Sequence, residues 1–349
     1  MSEITLLHEK WMQRAIVNAL KAWGHTSPNP HVGAVIVRDN KLIADGWHHK
    51  AGTNHAEKDA IANASGQDLK GSTIYVTLEP CCTTGRTGPC TQSIIDAGIS
   101  RVIYGCTDTN PAHAGKGFKV LKDHGIEVIG PILEKQCLDI NKGFFKWINT
   151  GKPYVILKMA STLDGKIATA SGHSQWITGP DARAHVQYLR QGSDAIMVGG
   201  ETALVDDPSL TVRELENPRQ PKRFIWTRKS LTPELKACLD DDSCAAETCS
   251  AQNTDQWNEF LKSIGKQNIS SLLLEGGGWL ASNALRCGIV DEVHFFIAPK
   301  ILGGANSRSS VSGEDPLTLD DALDLENMSV KPCGKDFLFI AYPKSSQDS

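Results

Sequence analysis

The feature that most limits what this chain can fold into is a spaced set of metal-ligand residues. It reads His55-Ala56-Glu57, then Glu79-Pro80-Cys81-Cys82, then Pro89-Cys90. An apolar, β-branched run, Thr73-Ile74-Tyr75-Val76-Thr77-Leu78, lies between the histidine and the cysteines and predicts a strand. One imidazole and two thiolates can hold a single zinc ion and leave its fourth tetrahedral position open for water. Zinc lowers the pKa of that water, so hydroxide becomes available near neutral pH.

Glu57 stands two positions after His55, well placed to move protons without being a ligand itself. This is the logic of the zinc-dependent deaminases, whose common signature is H-x-E followed by P-C-x-x-C. Here the position three after Cys81 is Thr84, so the third ligand is Cys90 or Cys82. Adjacent cysteines on a helical turn point about 100° apart, which disfavours Cys81 and Cys82 sharing one metal. Cys90 opens Cys90–Ala97, a helix start whose N-terminal field favours a thiolate. A closed structural zinc that includes Cys82, in a zinc-stabilised binding module, is the competing arrangement. Glu57 argues against it, because a structural site needs no acid beside its ligand.

A chain of 349 residues is too long for one average domain. The expected division is residues 1–148 and 149–349, with a short linker at 147–153. Met12, Ala15, Ile16, Ala19, Leu20 and Trp23 recur at helical spacing, which predicts an amphipathic helix near 9–23. Two prolines in Thr26-Ser27-Pro28-Asn29-Pro30 force an extended loop. A hairpin of 32–37 with 42–47 follows, then strands at 73–78, 101–104 and 126–129 alternating with helices near 90–98, 115–124 and 132–141. Strands alternating with helices after one hairpin imply a mixed sheet covered by helices. Both cysteine ligands then fall just past strand ends, at helix starts.

The second half begins with Tyr154–Ala160, an apolar strand interrupted by Lys158. A charged lysine in such a run must reach solvent, a carboxylate or a substrate. Further strands are expected at 195–198, 223–226, 270–274, 293–297 and 337–340, helices at 180–190 and 279–286, and a loop over 199–208. Residues 240–250 read as a polar surface stretch, where Cys238, Cys244 and Cys249 lack the partner histidine of a second metal site. Glu275-Gly276-Gly277-Gly278 between strand and helix offers free backbone N–H groups to a phosphate. The strand after it ends in Ala298-Pro299-Lys300, without the acidic residue that would hold a ribose hydroxyl. A dinucleotide carrying a 2′-phosphate fits that turn better.

Charge argues against nucleic acid as a partner. Residues 1–148 carry 16 Lys+Arg against 14 Asp+Glu, the remainder 20 against 26, giving the net −4 of the whole chain. A nucleic-acid binder would show a basic stripe to neutralise phosphates. No run approaches the roughly 18 apolar residues of a membrane helix, and the first residues lack the apolar core of a signal peptide. Ten cysteines without an export signal point to reduced thiols in the cytoplasm.

The same residues carry a resemblance. Thr26-Ser27-Pro28-Asn29-Pro30, His55-Ala56-Glu57, Glu79-Pro80-Cys81-Cys82 and Gly85-Arg86-Thr87 with Pro89-Cys90 resemble the bifunctional deaminase–reductase of bacterial riboflavin biosynthesis. So do Leu163-Asp164-Gly165, Ser174–Thr178, Asp206-Asp207-Pro208, Leu210–Arg213 and Glu275-Gly276-Gly277. The resemblance implies a cytidine-deaminase-like mixed-sheet α/β/α domain followed by a dihydrofolate-reductase-like α/β domain. The first would hydrolyse the 2-amino group of 2,5-diamino-6-ribosylamino-4(3H)-pyrimidinone 5′-phosphate. The second would use NADPH to reduce the opened ribose to a ribityl chain.

Carried over by position, the resemblance implies that His55, Cys81 and Cys90 bind Zn2+, Glu57 shuttles protons and Asn29 contacts the deaminase substrate. In the reductase, Ala160, Trp176, Thr202, Asp206, Gly277, Gly278, Trp279, Leu280, Ala281, Ser282 and Asn283 would line NADPH. Ser174, Arg190, Leu210, Arg213 and Glu275 would hold the substrate; a catalytic role for Lys158 is expected separately, from its place within an apolar strand. The family commonly carries two histidines between the second cysteine and Gly85, where this chain has Thr83-Thr84. The implied partner is the pyrimidine ribotide, with no nucleic acid and no membrane, and self-association into a homo-oligomer is compatible with it. The rival enzyme reading is a nucleoside or tRNA deaminase with an appended nucleotide-binding domain. The weak charge balance and the two arginines of the second half oppose that reading.

Overall fold

A computed structural model describes residues 3–83, 88–110, 114–227 and 246–344. The chain divides into two compact units, Met1–Thr150 and Gly151–Ser349. The first opens with α1, Glu3–Leu20, longer at its start and shorter at its end than its apolar spacing predicts. Trp11, Met12, Ala15, Ile16 and Ala19 form its buried stripe. β1 (Gly33–Arg38) and β2 (Lys41–Trp47) make the expected hairpin, with Gly33 opposite Trp47. Then follow α2 (Ala56–Asn63), β3 (Thr73–Leu78), α3 (Cys90–Asp96), β4 (Arg101–Cys106), α4 (Lys116–Asp123) and β5 (Glu127–Ile129).

The sheet order is β2-β1-β3-β4-β5, with β1 antiparallel to both neighbours and β3, β4 and β5 parallel. Ile74, Tyr75, Val76 and Leu78 of β3 are all buried, as a strand covered on both faces requires. Two helices close the unit, α5 (Glu134–Asp139) and α6 (Lys142–Thr150). The linker expected at 147–153 is therefore half helix. Phe144, Phe145, Trp147 and Ile148 sit close enough in sequence to pack one helix, and only Gly151 interrupts it.

The second unit runs β6 (Tyr154–Thr162), β7 (Lys166–Ala168), α7 (Pro180–Gln191), β8 (Ala195–Gly199), α8 (Gly200–Asp206) and β9 (Lys222–Trp226). It continues with β10 (Glu247–Cys249), α9 (Thr254–Gly265), β11 (Ser271–Glu275), α10 (Gly278–Arg286), β12 (Glu292–Ala298), β13 (Arg308–Ser309), β14 (Leu325–Cys333) and β15 (Asp336–Pro343). Eight strands form one sheet in the order β10-β9-β8-β11-β6-β12-β15-β14. The six from β10 to β12 are parallel, and β15 and β14 are antiparallel additions at one edge.

Three readings of this half change. The loop expected over 199–208 contains helix α8. The polar stretch before Ser250 holds strand β10, whose Cys249 is buried; Cys238 and Cys244 lie outside the described residues, as does Gly85-Arg86-Thr87. β14 escapes sequence reading because its side chains are exposed almost throughout, so no apolar alternation marks it. On β6, Val155, Leu157 and Met159 belong to one core cluster while Ile156 and Ala160 pack on another. Lys158 therefore shares a sheet face with Ile156 and Ala160, by the two-residue period of a strand.

Candidate active sites

In the first unit, His55, Cys81 and Cys90 are brought together with their ligand atoms all within 4.8 Å of one another. His55 is the N-cap of α2, in an extended conformation at φ −72°. Cys81 follows β3 in a non-helical segment, and Cys90 begins α3. Only Cys90 thus stands at a helix start; the expectation for Cys81 fails because Glu79-Pro80 keeps the chain extended past the strand. His55 Nδ1 lies 3.5 Å from Cys81 Sγ and 3.3 Å from Cys90 Sγ. A tetrahedral zinc with ordinary Zn–S and Zn–N bonds sets sulfur and nitrogen about 3.6 Å apart. The donor set fits zinc in type and spacing. Cys82 is not in this group, so the described residues make no closed four-ligand site.

The sulfurs are not equivalent. Hydrogen bonding with Cys90, with a further contribution from His55, pulls the Cys81 thiol down to about 4, against the effect of burial. The Cys90 backbone N–H at the start of α3 points at Cys81 Sγ, 3.4 Å away, so the helix N-terminus serves the neighbouring sulfur. Glu57 is buried in the first turn of α2, and burial pushes its carboxyl up to about 7. A carboxyl poised there can both take and return a proton near neutral pH.

His55, Glu57 and Cys81 line a cavity of about 270 Å³ at the carboxyl ends of β3 and β4, where parallel strands present ligands. Asn29 is among the residues that line it. Its Nδ2 donates to His48 Nε2 at 3.0 Å, while His48 Nδ1 faces the Asn54 carbonyl at 2.9 Å. A carbonyl only accepts, so the proton sits on His48 Nδ1 and the Asn29 amide oxygen is left to accept from a ligand. Burial lowers the His48 pKa, which favours the neutral ring.

Glu79 is a further organiser of the cavity. Its buried carboxylate accepts from the backbone N–H of Asp108 at 3.3 Å, and of Gly115 and Gly117 at 2.9 Å each. A Cβ at Gly117 would lie 2.2 Å from the Pro80 carbonyl oxygen, so only glycine lets this loop approach. Asp108, Asn110, Phe144, Trp147 and Ile148 also line the cavity and were missed as site residues. For the first two a signal exists, since they follow the carboxyl end of the strand at 101–106.

In the second unit, Lys158, Arg190 and Glu275 meet. Arg190 Nε and Nη2 donate to the two Glu275 oxygens at 2.6 and 2.9 Å, and its Nη1 donates to the Thr211 carbonyl at 3.1 Å. Lys158 Nζ stands 3.9 Å from Glu275 Oε2. Burial lowers the Lys158 pKa. Arg213 is exposed and Leu210 is buried at a positive φ of 49°. Ser174 Oγ donates to Asp206 Oδ1 at 3.2 Å, joining an expected substrate residue to an expected cofactor residue.

The glycine turn joins β11 to α10. Gly276 and Gly277 take positive φ values, 72° and 84°, and α10 begins at Gly278. A side chain on Gly277 would crowd Thr202 Oγ1 at 3.1 Å. Trp279, Ser282 and Asn283 line a cavity of about 390 Å³ together with Trp226 and Arg286. Leu280 and Ala281 are buried in the core, which leaves only their backbone for a cofactor. Trp176 is exposed, with Arg183 over its ring at 4.6 Å and Lys300 Nζ donating to its carbonyl at 2.7 Å. Ala160 lies on the same face of β6 as Lys158.

Known proteins resemble both halves. Residues 6–106 match the cytidine and deoxycytidylate deaminase zinc-binding region, and residues 153–339 match the RibD C-terminal domain. The riboflavin biosynthesis protein RibD of Actinobacillus pleuropneumoniae is 41% identical over 358 residues, spanning 96% of this chain and 95% of that one. RibD of Escherichia coli (strain K12) is 37% identical, spanning 94% and 97%. The solved structure of Acinetobacter baumannii RibD covers 98% of this chain and 100% of its own, with TM-score 0.87 and 37% identity. A Thermotoga maritima structure described as a diaminohydroxyphosphoribosylaminopyrimidine deaminase/5-amino-6-(5-phosphoribosylamino)uracil reductase gives TM-score 0.86 at 35% identity over 98% of this chain and 100% of its own.

Fold and site together define a zinc-dependent deaminase joined to an NADPH-dependent reductase. The chain belongs to the RibD family, the bifunctional deaminase and reductase of riboflavin biosynthesis. Among the described residues no helix is long and apolar enough to cross a membrane.

Proposed function

We propose that the first unit hydrolyses the 2-amino group of 2,5-diamino-6-ribosylamino-4(3H)-pyrimidinone 5′-phosphate, and that the second reduces the ribosyl group of the product to ribityl with NADPH. The observation that carries the first step is a buried Glu57 beside a His55, Cys81 and Cys90 trio, with Glu57, His55 and Cys81 lining a cavity. When bound there, zinc supplies an activated water. Glu57 takes a proton and delivers it to the departing ammonia, and Asn29 orients the ring through its free amide oxygen. For the second step, the Gly277–Asn283 turn and helix start hold NADPH phosphate, and Trp176, Thr202 and Asp206 complete the cofactor site. Arg213 holds the substrate phosphate, while Arg190 and Glu275 form a fixed pair that positions Lys158.

The test is incubation of the intact chain with the diaminopyrimidine ribotide, with and without NADPH, following ammonia and nicotinamide absorbance separately. Ammonia release should need no NADPH, and NADPH oxidation should follow deamination. NADPH oxidation with no ammonia formed would sink the order of steps.

The ligand assignment has its own check. One zinc per chain is expected, lost in Cys90→Ser and kept in Cys82→Ser, as read by elemental analysis. Normal zinc in Cys90→Ser would remove Cys90 from the set. The chain is further proposed to work in the cytoplasm as a homo-oligomer. Support for self-association comes from β14, an edge strand with Met328 and Val330 exposed, a surface that a second strand can cover. Light scattering at a single-chain mass would end that part of the reading.

A further inference from the structure

The zinc cavity has a wall that the deaminase match does not include. That match ends at residue 106, yet Phe144, Trp147 and Ile148 of α6 line the cavity. Positions i, i+3 and i+4 share one helix face. This stripe is not core: no residue of α6 is fully buried, and Phe145, on another face, is the α6 side chain packed against the first unit's core. Large apolar groups left half-exposed along a cavity mark a ligand surface.

The helix is also tied to the two loops that carry the cavity's polar groups. At its start, Asn141 Oδ1 accepts from His31 N–H at 2.7 Å, and Asn141 Nδ2 donates to the His31 carbonyl at 2.9 Å. This fixes α6 against the loop that bears Asn29. At its end, Asn149 Nδ2 donates to Thr109 Oγ1 at 2.8 Å, fixing it against the loop of Asp108 and Asn110. Such bracketing holds the aromatic stripe at a set distance from the zinc trio.

We propose that Trp147, with Phe144 beside it, is the aromatic wall on which the pyrimidinone ring of the ribotide lies, which makes them substrate-selecting residues of the deaminase. This rests on the reading of the cavity as the deaminase site. A planar heteroaromatic ring gains by stacking on an aromatic side chain, and losing one such contact weakens binding by roughly 10- to 100-fold. The contact is made alike by bound substrate and transition state, so its loss is read in KM.

The experiment is steady-state deamination by the intact chain, with ammonia as readout, for Trp147→Ala, Trp147→Phe and Phe144→Ala. Trp147→Ala should raise KM by about 10- to 100-fold and change kcat by less than about three-fold. Trp147→Phe should recover most of that loss, because a ring is restored. Zinc content and NADPH oxidation on the deaminated intermediate should match the parent chain. An unchanged KM in Trp147→Ala overturns the proposal. So does a loss of zinc or of NADPH oxidation, which would make Trp147 a structural residue. Glu57→Gln measured in parallel separates the two levels: if it deaminates normally, the site reading itself fails; if it does not, a normal KM in Trp147→Ala removes only the aromatic wall.

Discussion

Glu57→Gln should lower deamination by about 10²–10⁴-fold while leaving zinc content and the reductase reaction intact. Glutamine keeps the size of the side chain and part of its hydrogen bonding, but it cannot accept and return a proton. Glu57 is outside the trio of ligand atoms, so the metal has no reason to leave. The parent carboxyl is pushed up to about 7 by burial, which suits proton transfer, and a neutral amide in the same place removes that capacity without adding a buried charge. Supplied with the already deaminated ribosylaminouracil phosphate, the variant should oxidise NADPH at the parent rate. Supplied with the diaminopyrimidine ribotide, it should release little ammonia. A folded variant that had lost reduction of the deaminated intermediate would replace two sites with one shared or obligatorily coupled site.

Lys158→Met carries the second large effect, a loss of about 10²–10⁴-fold in reductase turnover with NADPH binding retained. The geometry explains why the ammonium is available for chemistry. Glu275 gives its two oxygens to short bonds from Arg190, and Lys158 stands beyond hydrogen-bond reach at 3.9 Å. Lys158 feels the carboxylate without being saturated by it, so its N–H groups can meet an oxygen of the opened sugar. Burial lowers its pKa, which makes it a readier acid. Methionine preserves the apolar stem along β6, and Glu275 keeps Arg190, so no buried charge is left unpaired. NADPH oxidation on the deaminated intermediate and a cofactor-binding titration read the two quantities apart. Near-normal turnover would return Lys158 to a partner in an ion cluster.

What could be read from the chain alone depended on how locally each feature is encoded. The hairpin at Gly33–Trp47 and the strand at Thr73–Leu78 announce themselves by composition and period, and both stand where expected. The His55, Cys81 and Cys90 trio was legible because few ligand sets satisfy a zinc ion. Cys82 falls outside the trio for a reason other than the angle between neighbours on a helical turn, since Cys81 and Cys82 are not helical. The cavity walls were hidden for a different reason. Glu79 acts on amides at Asp108, Gly115 and Gly117, and no local pattern records a carboxylate that reaches so far along the chain. Trp147 and Ile148 read as the start of a linker over 147–153, because Gly151 and Pro153 mark a break, and Phe144 stands just before it. In the second half, Arg190 and Arg213 look alike in sequence, yet one is locked to Glu275 and the other is exposed.

The position of β6 has a consequence for how the protein is made. Its two sheet neighbours are β11, with Tyr154 opposite Ser271, and β12, with Ile156 opposite Glu292. A ribosome delivers β6 long before either of them, so the central strand of the reductase emerges with both edges bare. Its apolar face must wait, shielded by transient contacts or by chaperones, until the last third of the polypeptide arrives. The deaminase sheet has all five strands in hand by Ile129 and can close while the rest is still being translated. A message cut short before the codon for Glu292 would yield a finished zinc domain trailing a half-built sheet with exposed strand edges, a species prone to aggregate rather than to persist as a free deaminase.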